Sequence, residues 1–311
     1  MLANVKRILR ASAVCALAVF ALGIGSLPAG ATYPGANGKI AFTAPYKGTA
    51  QIWTMNENGL GRTRLTGPAR ANFHPGFTSD GKKMVFIATS EAGVNQIYMM
   101  NTDGNLRTRV TTGSRNFGDP AISPDGKWIV AAGWKGTNPK NLWLVRADGT
   151  GAKRFTEAPG DDLGPSFSPD GSRVVWTRFR EDGTSDIFVR KLDGTGTKQL
   201  TSGNGDDKGP SYSPDGTKIV YTHIVGKKRT GRLWIMNADG TGRSKRTDNP
   251  DGTMFDHAIW SPDGTKIAFI RERDSVHAVA DLFVVSAAGG GGMTNLTEGR
   301  NEPMDFDWGV G

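Results

Sequence analysis

Cysteine is almost absent from this chain, and the short motifs that mark common enzyme classes are missing. The one cysteine, Cys15, lies in an apolar stretch near the N-terminus, so the rest of the chain has no thiol for a disulfide, a nucleophile or a metal site. No G-x-S-x-G, H-E-x-x-H, P-loop or dinucleotide-binding motif occurs. These absences argue against serine-hydrolase, zinc-protease and nucleotide-dependent chemistry, and we expect no cofactor.

Helical periodicity and strong charge are also lacking beyond residue 31. No stretch there repeats apolar residues at the helical period, which disfavours a helical fold. The net charge of +8 falls to +5 without Lys6, Arg7 and Arg10. No aromatic-plus-basic RNA motif or DNA-reading helix appears, so we expect no nucleic-acid partner.

The first 31 residues have the organisation of a secretory signal peptide. A basic start is followed by an apolar run from Ala11 to Gly25, and Ala29-Gly30-Ala31 fits a cleavage site. We predict cleavage after Ala31, export to the periplasm or the medium, and no membrane span in the mature residues 32–311. The alternative is an uncleaved membrane anchor, although the apolar run is short for a span.

The rest of the chain repeats one unit at steps of 43 to 48 residues. Ser-Pro-Asp-Gly stands at 123–126, 168–171, 213–216 and 261–264, with degraded copies at 78–81 and 37–38. Proline, aspartate and glycine in this order are typical of a tight turn between two strands. A fixed period of this length predicts a repeat architecture that fills residues 32–311 as one domain.

Each repeat contains four short apolar segments, which predict a four-stranded antiparallel blade. The first repeat lacks the segment before its turn, while Asp305-Phe306-Asp307-Trp308 at the C-terminus has no turn after it. The C-terminal strand can therefore complete the N-terminal blade and remove free sheet edges. We predict an all-β, six-bladed β-propeller of four-stranded blades, closed in this way.

Three stretches of the repeat carry a family likeness. They are Phe167-Ser168-Pro169-Asp170-Gly171, Ile219-Val220-Tyr221 and the run Leu-Trp-Ile-Met-Asn-Ala-Asp-Gly at 233–240. They resemble the WD40-like PD40 repeat of the TolB family, and the resemblance covers about residues 37 to 308. It implies a six-bladed propeller exported from the bacterial cytoplasm. TolB itself resembles this propeller joined to an N-terminal α/β domain, which this sequence lacks, and it binds lipoprotein and membrane partners in the envelope.

One position of the repeat is predicted to face the mouth of the central channel. Around the ring, its members are His74, Asp119, Gly164, Gly209, His257 and Asp305. Imidazoles and carboxylates are side chains that bind divalent metals, and His74 and His257 would be the first candidates. The alternative is that these side chains hydrogen-bond loop backbones or face water. We predict no metal site and no catalytic residue here.

The loops between the second and third strands vary most between repeats, and they share the face of the channel rim. In repeats four to six the candidate binding residues are Arg178, Arg180, Lys227, Lys228, Arg229, Arg232, Arg271 and Arg273. Trp134, at the start of another such loop, is the candidate for stacking on a sugar or peptide. This pattern predicts a surface for an acidic protein, peptide or anionic glycan. The alternative is solvated charge that loop acids such as Glu181 and Asp182 partly neutralise.

These observations favour a monomeric, non-enzymatic, exported TolB-like propeller that binds a protein or peptide partner in the bacterial envelope. The alternative is a carbohydrate-active propeller, lectin-like or similar to polyuronate lyases, with a channel metal or glycan site. A third hypothesis is a structural component of the envelope.

Overall fold

The computed structural model describes residues 32–203, 205–225, 230–248, 253–274, 279–298 and 305–311. Within these ranges, the regular structure consists of strands, which form six four-stranded antiparallel sheets. No helix in the described ranges is long and apolar enough to cross a membrane.

The strands follow one another from the channel outwards in each blade. In blades 1 to 3 they are β1 (Asn37–Tyr46), β2 (Thr49–Met55), β3 (Thr63–Arg64); β4 (Asn72–Phe77), β5 (Lys83–Thr89), β6 (Asn95–Asn101), β7 (Thr108–Arg109); and β8 (Asn116–Ile122), β9 (Trp128–Trp134), β10 (Asn141–Arg146), β11 (Lys153–Arg154). In blades 4 to 6 they are β12 (Asp162–Phe167), β13 (Arg173–Phe179), β14 (Ser185–Lys191), β15 (Lys198–Gln199); β16 (Asp206–Tyr212), β17 (Lys218–Val225), β18 (Thr230–Asn237), β19 (Ser244–Lys245); and β20 (Met254–Trp260), β21 (Lys266–Asp274), β22 (Val279–Ser286), β23 (Thr294–Asn295). The last strand, β24 (Phe306–Val310), is the inner strand of blade 1.

The C-terminal strand closes the ring as the sequence predicts. Strand β24 pairs with β1 in antiparallel register, with Ile40 opposite Trp308 and Phe42 opposite Phe306. Trp308 is 2% exposed and packs among apolar residues of blade 6, including Ile259 and Leu282. The same strand therefore completes one sheet and seals its contact with the next.

The repeated Ser-Pro-Asp-Gly sequence forms the turn between the first two strands of a blade. In blade 5, the Ser213 hydroxyl donates to Asp215 Oδ1 at 2.6 Å, and Asp215 Oδ1 also accepts the Thr217 amide at 3.0 Å. Gly216 takes the left-handed conformation at φ 70°, which only glycine adopts without cost. These turns gather on one end of the ring, the turn face, and the second-to-third-strand loops occupy the other end, the loop face.

The segment before β1 crosses the channel at the turn face. The Thr32 hydroxyl donates to the Trp260 carbonyl of blade 6 at 3.3 Å, and the Tyr33 hydroxyl donates to the Ile122 carbonyl of blade 3. Both carbonyls belong to inner strands on opposite sides of a six-bladed ring. Thr32 is 1% exposed and Tyr33 is 4% exposed, so this segment fills the turn-face end of the channel.

Candidate functional site

The predicted rim position has an unusual backbone. Each inner strand of blades 2 to 6 carries a bulge at this position, where the pairing register shifts. The rim residue is left-handed in all five blades, with φ of 52° at His74, 49° at Asp119 and 54° at His257, and with glycine at positions 164 and 209. Histidine and aspartate tolerate this region better than most residues. A side chain is thus present in three blades where glycine would fit with less strain.

Rim side chains join each blade to the next. Asp305 Oδ1 accepts the His74 amide at 3.2 Å, His74 Nδ1 accepts the Asp119 amide at 3.1 Å, and Asp119 Oδ2 accepts the Gly164 amide at 3.2 Å. Gly164 has no side chain to continue the series, and the Thr177 hydroxyl accepts the next amide, that of Gly209, at 2.9 Å. We call His74, Asp119 and Asp305 the rim latch.

The latch places an imidazole between two buried carboxylates. His74 Nδ1 lies 3.2 Å from Asp119 Oδ1, and Nε2 lies 3.5 Å from Asp305 Oδ2. Burial raises the pKa of Asp305, although the neighbouring His74 and the hydrogen bond from Thr43 oppose the rise. Both carboxylates are 5% exposed. All three latch side chains accept a backbone amide at the bulge of the next blade, which is a structural task.

Removal of the His74 side chain is expected to weaken the ring. His74→Ala should lower the free energy of unfolding by about 1–3 kcal/mol, because the Asp119 amide loses its acceptor and Asp305 loses its imidazole neighbour. His74→Gly makes the same deletion at a φ that glycine prefers, and it should recover about 1 kcal/mol of the loss. Urea unfolding of both variants measures this difference. Equal stability of His74→Ala and the native chain would contradict a role for the latch.

His257 occupies the equivalent position in blade 6 but is not part of the latch. It is 3% exposed, and its amide donates to Asp256 Oδ1 at 2.8 Å. Asp256 Oδ2 accepts from Lys208 Nζ of blade 5 at 2.7 Å. Burial alone would raise the pKa of Asp256, but Lys208 and His257 together hold it below its usual value. Glu272 is close by, and burial followed by repulsion from Asp256 raises its pKa.

Arg178 is held by a carboxylate that sequence reasoning did not pair with it. Its Nε and a terminal nitrogen donate to the two oxygens of Asp162 at 2.7 and 2.9 Å. Trp176 Nε1 donates to Asp162 as well, at 2.9 Å, and the carboxylate is fully buried. The guanidinium lies 4.6 Å from the Phe188 ring. This geometry fixes Arg178 with a fifth of its side chain exposed.

The other described candidates of the loop face also have neighbours within the fold. Arg180 pairs with Asp186, which is buried, and 44% of the Arg180 side chain remains exposed. The Arg271 guanidinium lies 5.5 Å from the Phe283 ring. Arg232 on β18 stands opposite His223 on the adjacent strand β17. We call Arg178, Arg180, Arg232 and Arg271 the basic crescent.

Trp134 ends strand β9 at the edge of the loop face and is partly exposed. Lys140 Nζ lies 5.4 Å from the centre of its ring. The indole also lies against Gly118 of the inner strand, where a Cβ would be in ordinary van der Waals contact with the ring at 3.5 Å. One face of this indole is thus engaged by a cation. Lys227, Lys228 and Arg229 lie outside the described residues, as does the side chain of Arg273.

Comparison with known proteins agrees with this geometry. The family model of the TolB β-propeller domain, PD40, matches residues 22–141 and 137–304. The chain belongs to the TolB β-propeller domain family. TolB from Acinetobacter baumannii is 20% identical, with a TM-score of 0.73, over 88% of this chain and 67% of that one. A putative TolB from Agrobacterium tumefaciens is 19% identical, with a TM-score of 0.68, over 84% of this chain and 88% of that one.

An enzyme shares the same architecture at lower similarity. Oligogalacturonate lyase from Vibrio parahaemolyticus is 12% identical, with a TM-score of 0.60, over 88% of this TolB-type chain and 78% of the lyase. At this identity the likeness shows a common fold alone. No curated protein compared with the sequence matches it. In the part of the chain that the structure describes, no group of three His, Cys, Asp or Glu side chains is arranged to hold a metal ion.

Sequence reasoning missed the pairing of Asp207 with His223 in this TolB-type propeller. His223 Nδ1 lies 2.6 Å from Asp207 Oδ1, and the two residues stand opposite each other on β16 and β17. Asp162 and Arg178 have the same relation on β12 and β13. Both pairs are 16 residues apart along the chain. A spacing of 16 residues across the Ser-Pro-Asp-Gly turn could have revealed both pairs.

Proposed function

We propose that this protein is an exported, non-enzymatic scaffold of the bacterial envelope that binds an acidic protein or peptide through the loop face of blades 4 to 6. The observation that carries the proposal is the type of side chain at one position of the second strand of each blade. It holds Arg178 in blade 4, His223 in blade 5 and Arg271 in blade 6. The corresponding residues of blades 2 and 3 are Ala88 and Gly133. At this position, basic side chains thus occur in blades 4 to 6 and not in blades 2 and 3.

A one-sided basic surface suits recognition of an acidic partner. Charge complementarity steers encounter and suppresses wrong partners, especially where the charges are held in fixed positions. Arg178 is fixed by Asp162, and Arg180 by Asp186. Each guanidinium keeps further N–H groups beyond those bound to its carboxylate, and Arg180 is well exposed. Pre-positioned donors of this kind lose little side-chain entropy on binding.

The rim supports a binding role over a catalytic one. His74, Asp119 and Asp305 are the side chains whose types first suggest a reaction. Among the described residues, their side-chain hydrogen bonds and ion pairs are with one another, with the Thr43 hydroxyl and with amides of adjacent blades. A latch between blades accounts for their chemistry and for their backbone strain. The binding surface is therefore assigned to the loops rather than to the channel.

Affinity capture from envelope extract tests the proposal, with the exported protein as bait. One variant reverses three loop charges, Lys227→Glu, Lys228→Glu and Arg229→Glu. These residues lie between β17 and β18 and leave the paired Arg178 and Arg180 intact. The matched control reverses three exposed charges at the turn-face end, Lys82→Glu, Lys127→Glu and Lys191→Glu. Both triple variants change the net charge equally.

A partner that the loop variant loses and the control retains, and that binds the purified native protein directly, supports the proposal. Identical capture by all three baits, or no capture by the native protein, contradicts it. Depolymerisation of a polyuronate by the native protein would favour the carbohydrate-active alternative instead.

A further inference from the structure

The pair of Asp207 and His223 differs from its neighbours in the basic crescent. Arg178 in blade 4 and Arg271 in blade 6 carry a guanidinium, which stays charged at every physiological pH. Blade 5 has an imidazole at the same register position. Histidine is the side chain whose charge ordinarily changes between pH 5 and 8. Blade 5 thus places a group that can be neutral or charged where blades 4 and 6 have a permanent cation.

The hydrogen bond from His223 to Asp207 fixes which ring nitrogen faces outward. Asp207 is 6% exposed at its side chain and lies 2.6 Å from Nδ1. A carboxylate only accepts, so Nδ1 carries the proton. Nε2 then offers a lone pair in the neutral ring and an N–H donor in the charged ring. Among the described residues no hydrogen bond to Nε2 is present, and the His223 side chain is 24% exposed.

Other contacts hold the ring in place. The Trp234 ring meets the imidazole edge-on, with ring centres 5.0 Å apart. Gly205 lies against Cε1, where a Cβ would approach to 2.7 Å. The imidazole thus has an indole on one side and backbone on another, and its orientation is set before any ligand arrives.

The charged groups around His223 come from three strands. Asp207 faces it from β16, and Arg232 stands opposite it on β18. Asp186 of β14 is electrostatically coupled to Asp207, and Arg180 pairs with Asp186. Asp207 and Arg232 thus place charges of opposite sign beside the imidazole. A bound carboxylate attracts a protonated imidazole, so binding of an acidic ligand and protonation of His223 should strengthen each other.

We propose that His223 is a specificity residue that makes the loop face bind acidic peptides more tightly as pH falls from 7.5 to 5.5. At the higher pH the outward lone pair of Nε2 opposes a carboxylate. At the lower pH the same nitrogen donates a charge-assisted hydrogen bond. This inference rests on the proposed function, because it assumes an acidic ligand at the basic crescent.

Fluorescence anisotropy with a labelled octa-aspartate peptide tests the inference on the purified, exported protein. The native protein should bind about tenfold more tightly at pH 5.5 than at pH 7.5, which corresponds to one charge-assisted contact. His223→Gln should bind at both pH values with the weaker affinity. His223→Arg recreates the pairing of blade 4 and should bind at both with the tighter affinity. Circular dichroism at each pH checks that the variants fold.

The outcomes separate this inference from the proposed function. Native binding that is equal at the two pH values, or a pH effect that persists in His223→Gln, overturns the role of His223 and leaves the acidic partner intact. No binding of the peptide at either pH overturns the inference and contradicts the acidic partner class as well. An octa-asparagine peptide controls for binding that does not depend on charge.

Discussion

Removal of residues 306–311 is expected to abolish cooperative folding of the propeller. The deletion takes away the inner strand of blade 1 and exposes the edge of β1, whose residues from Ile40 to Phe42 pair with it. It also removes Phe306 and Trp308, which are buried between blades 1 and 6. Each large aromatic contributes about 3–5 kcal/mol, and a whole domain is stable by only about 5–15 kcal/mol. The loss of both, together with a strand, is therefore comparable with the total stability.

Urea unfolding followed by tryptophan fluorescence and by circular dichroism measures this effect. The truncated chain should lack a sharp transition and should bind an apolar dye in the absence of urea. Trp308→Ala, which keeps the strand, should unfold cooperatively with about 3–5 kcal/mol less stability. Trp308→Phe should lose less. A truncated chain that unfolds at the native midpoint would show that β24 does not close the ring.

The architecture was predictable because it depends on local turns repeated at a fixed period. Ser-Pro-Asp-Gly at 213–216 fixes one hairpin by the conformation of Pro214 and Gly216, and the copies fix the others. Closure by β24 follows from the alignment of Trp308 with the ends of the other inner strands. Neither inference needs knowledge of how blades pack, and the strand order confirms both.

The contacts at the rim and the loop face could not be predicted in the same way. Residues 164 and 209 are both glycine, which hints at a left-handed backbone, but the bulge decides where His74 and Asp119 point. The bulge also shifts the register that places Asp162 opposite Arg178. A shift of one residue would send these side chains to the other face of the sheet. Periodicity locates the strands, whereas a site depends on their exact register.

Asp307 introduces a carboxylate where the repeat has small or apolar side chains. The equivalent residues are Gly76, Ala121, Ser166, Ser211 and Ile259. Asp307 is 1% exposed, and its Oδ2 accepts the Phe77 amide of blade 2 at 2.7 Å. Its Oδ1 is buried with no hydrogen-bond partner among the described residues. Burial raises the pKa of Asp307 to about 7, although the hydrogen bonds from the amides of Phe77 and Trp308 oppose the rise.

A raised pKa in the folded chain makes stability fall as pH rises. Between about pH 4 and pH 7, the folded protein holds a proton on Asp307 that the unfolded chain has released, so unfolding becomes easier as pH increases. Below pH 4 the group is protonated in both states, and above pH 7 it is ionised in both. Because each pKa unit corresponds to about 1.4 kcal/mol, this rise of about three units lowers the free energy of unfolding by about 4 kcal/mol at pH 8.

Asp307→Asn should therefore stabilise the protein by about 2–4 kcal/mol at pH 8 and change little at pH 4.5, since the amide can accept the same backbone hydrogen bond without a buried charge. Urea unfolding at half-unit steps from pH 4.5 to pH 8 gives the difference between the two chains, in which the other titrating groups cancel. Asp125→Asn is the control, for which the expected change in stability has the opposite sign. The hydrogen bond from Ser123 lowers the pKa of Asp125, so its removal should weaken the protein at neutral pH. An Asp307→Asn chain whose stability follows the native pH profile would mean that Asp307 is ionised in the folded state throughout, with a cation or water at Oδ1.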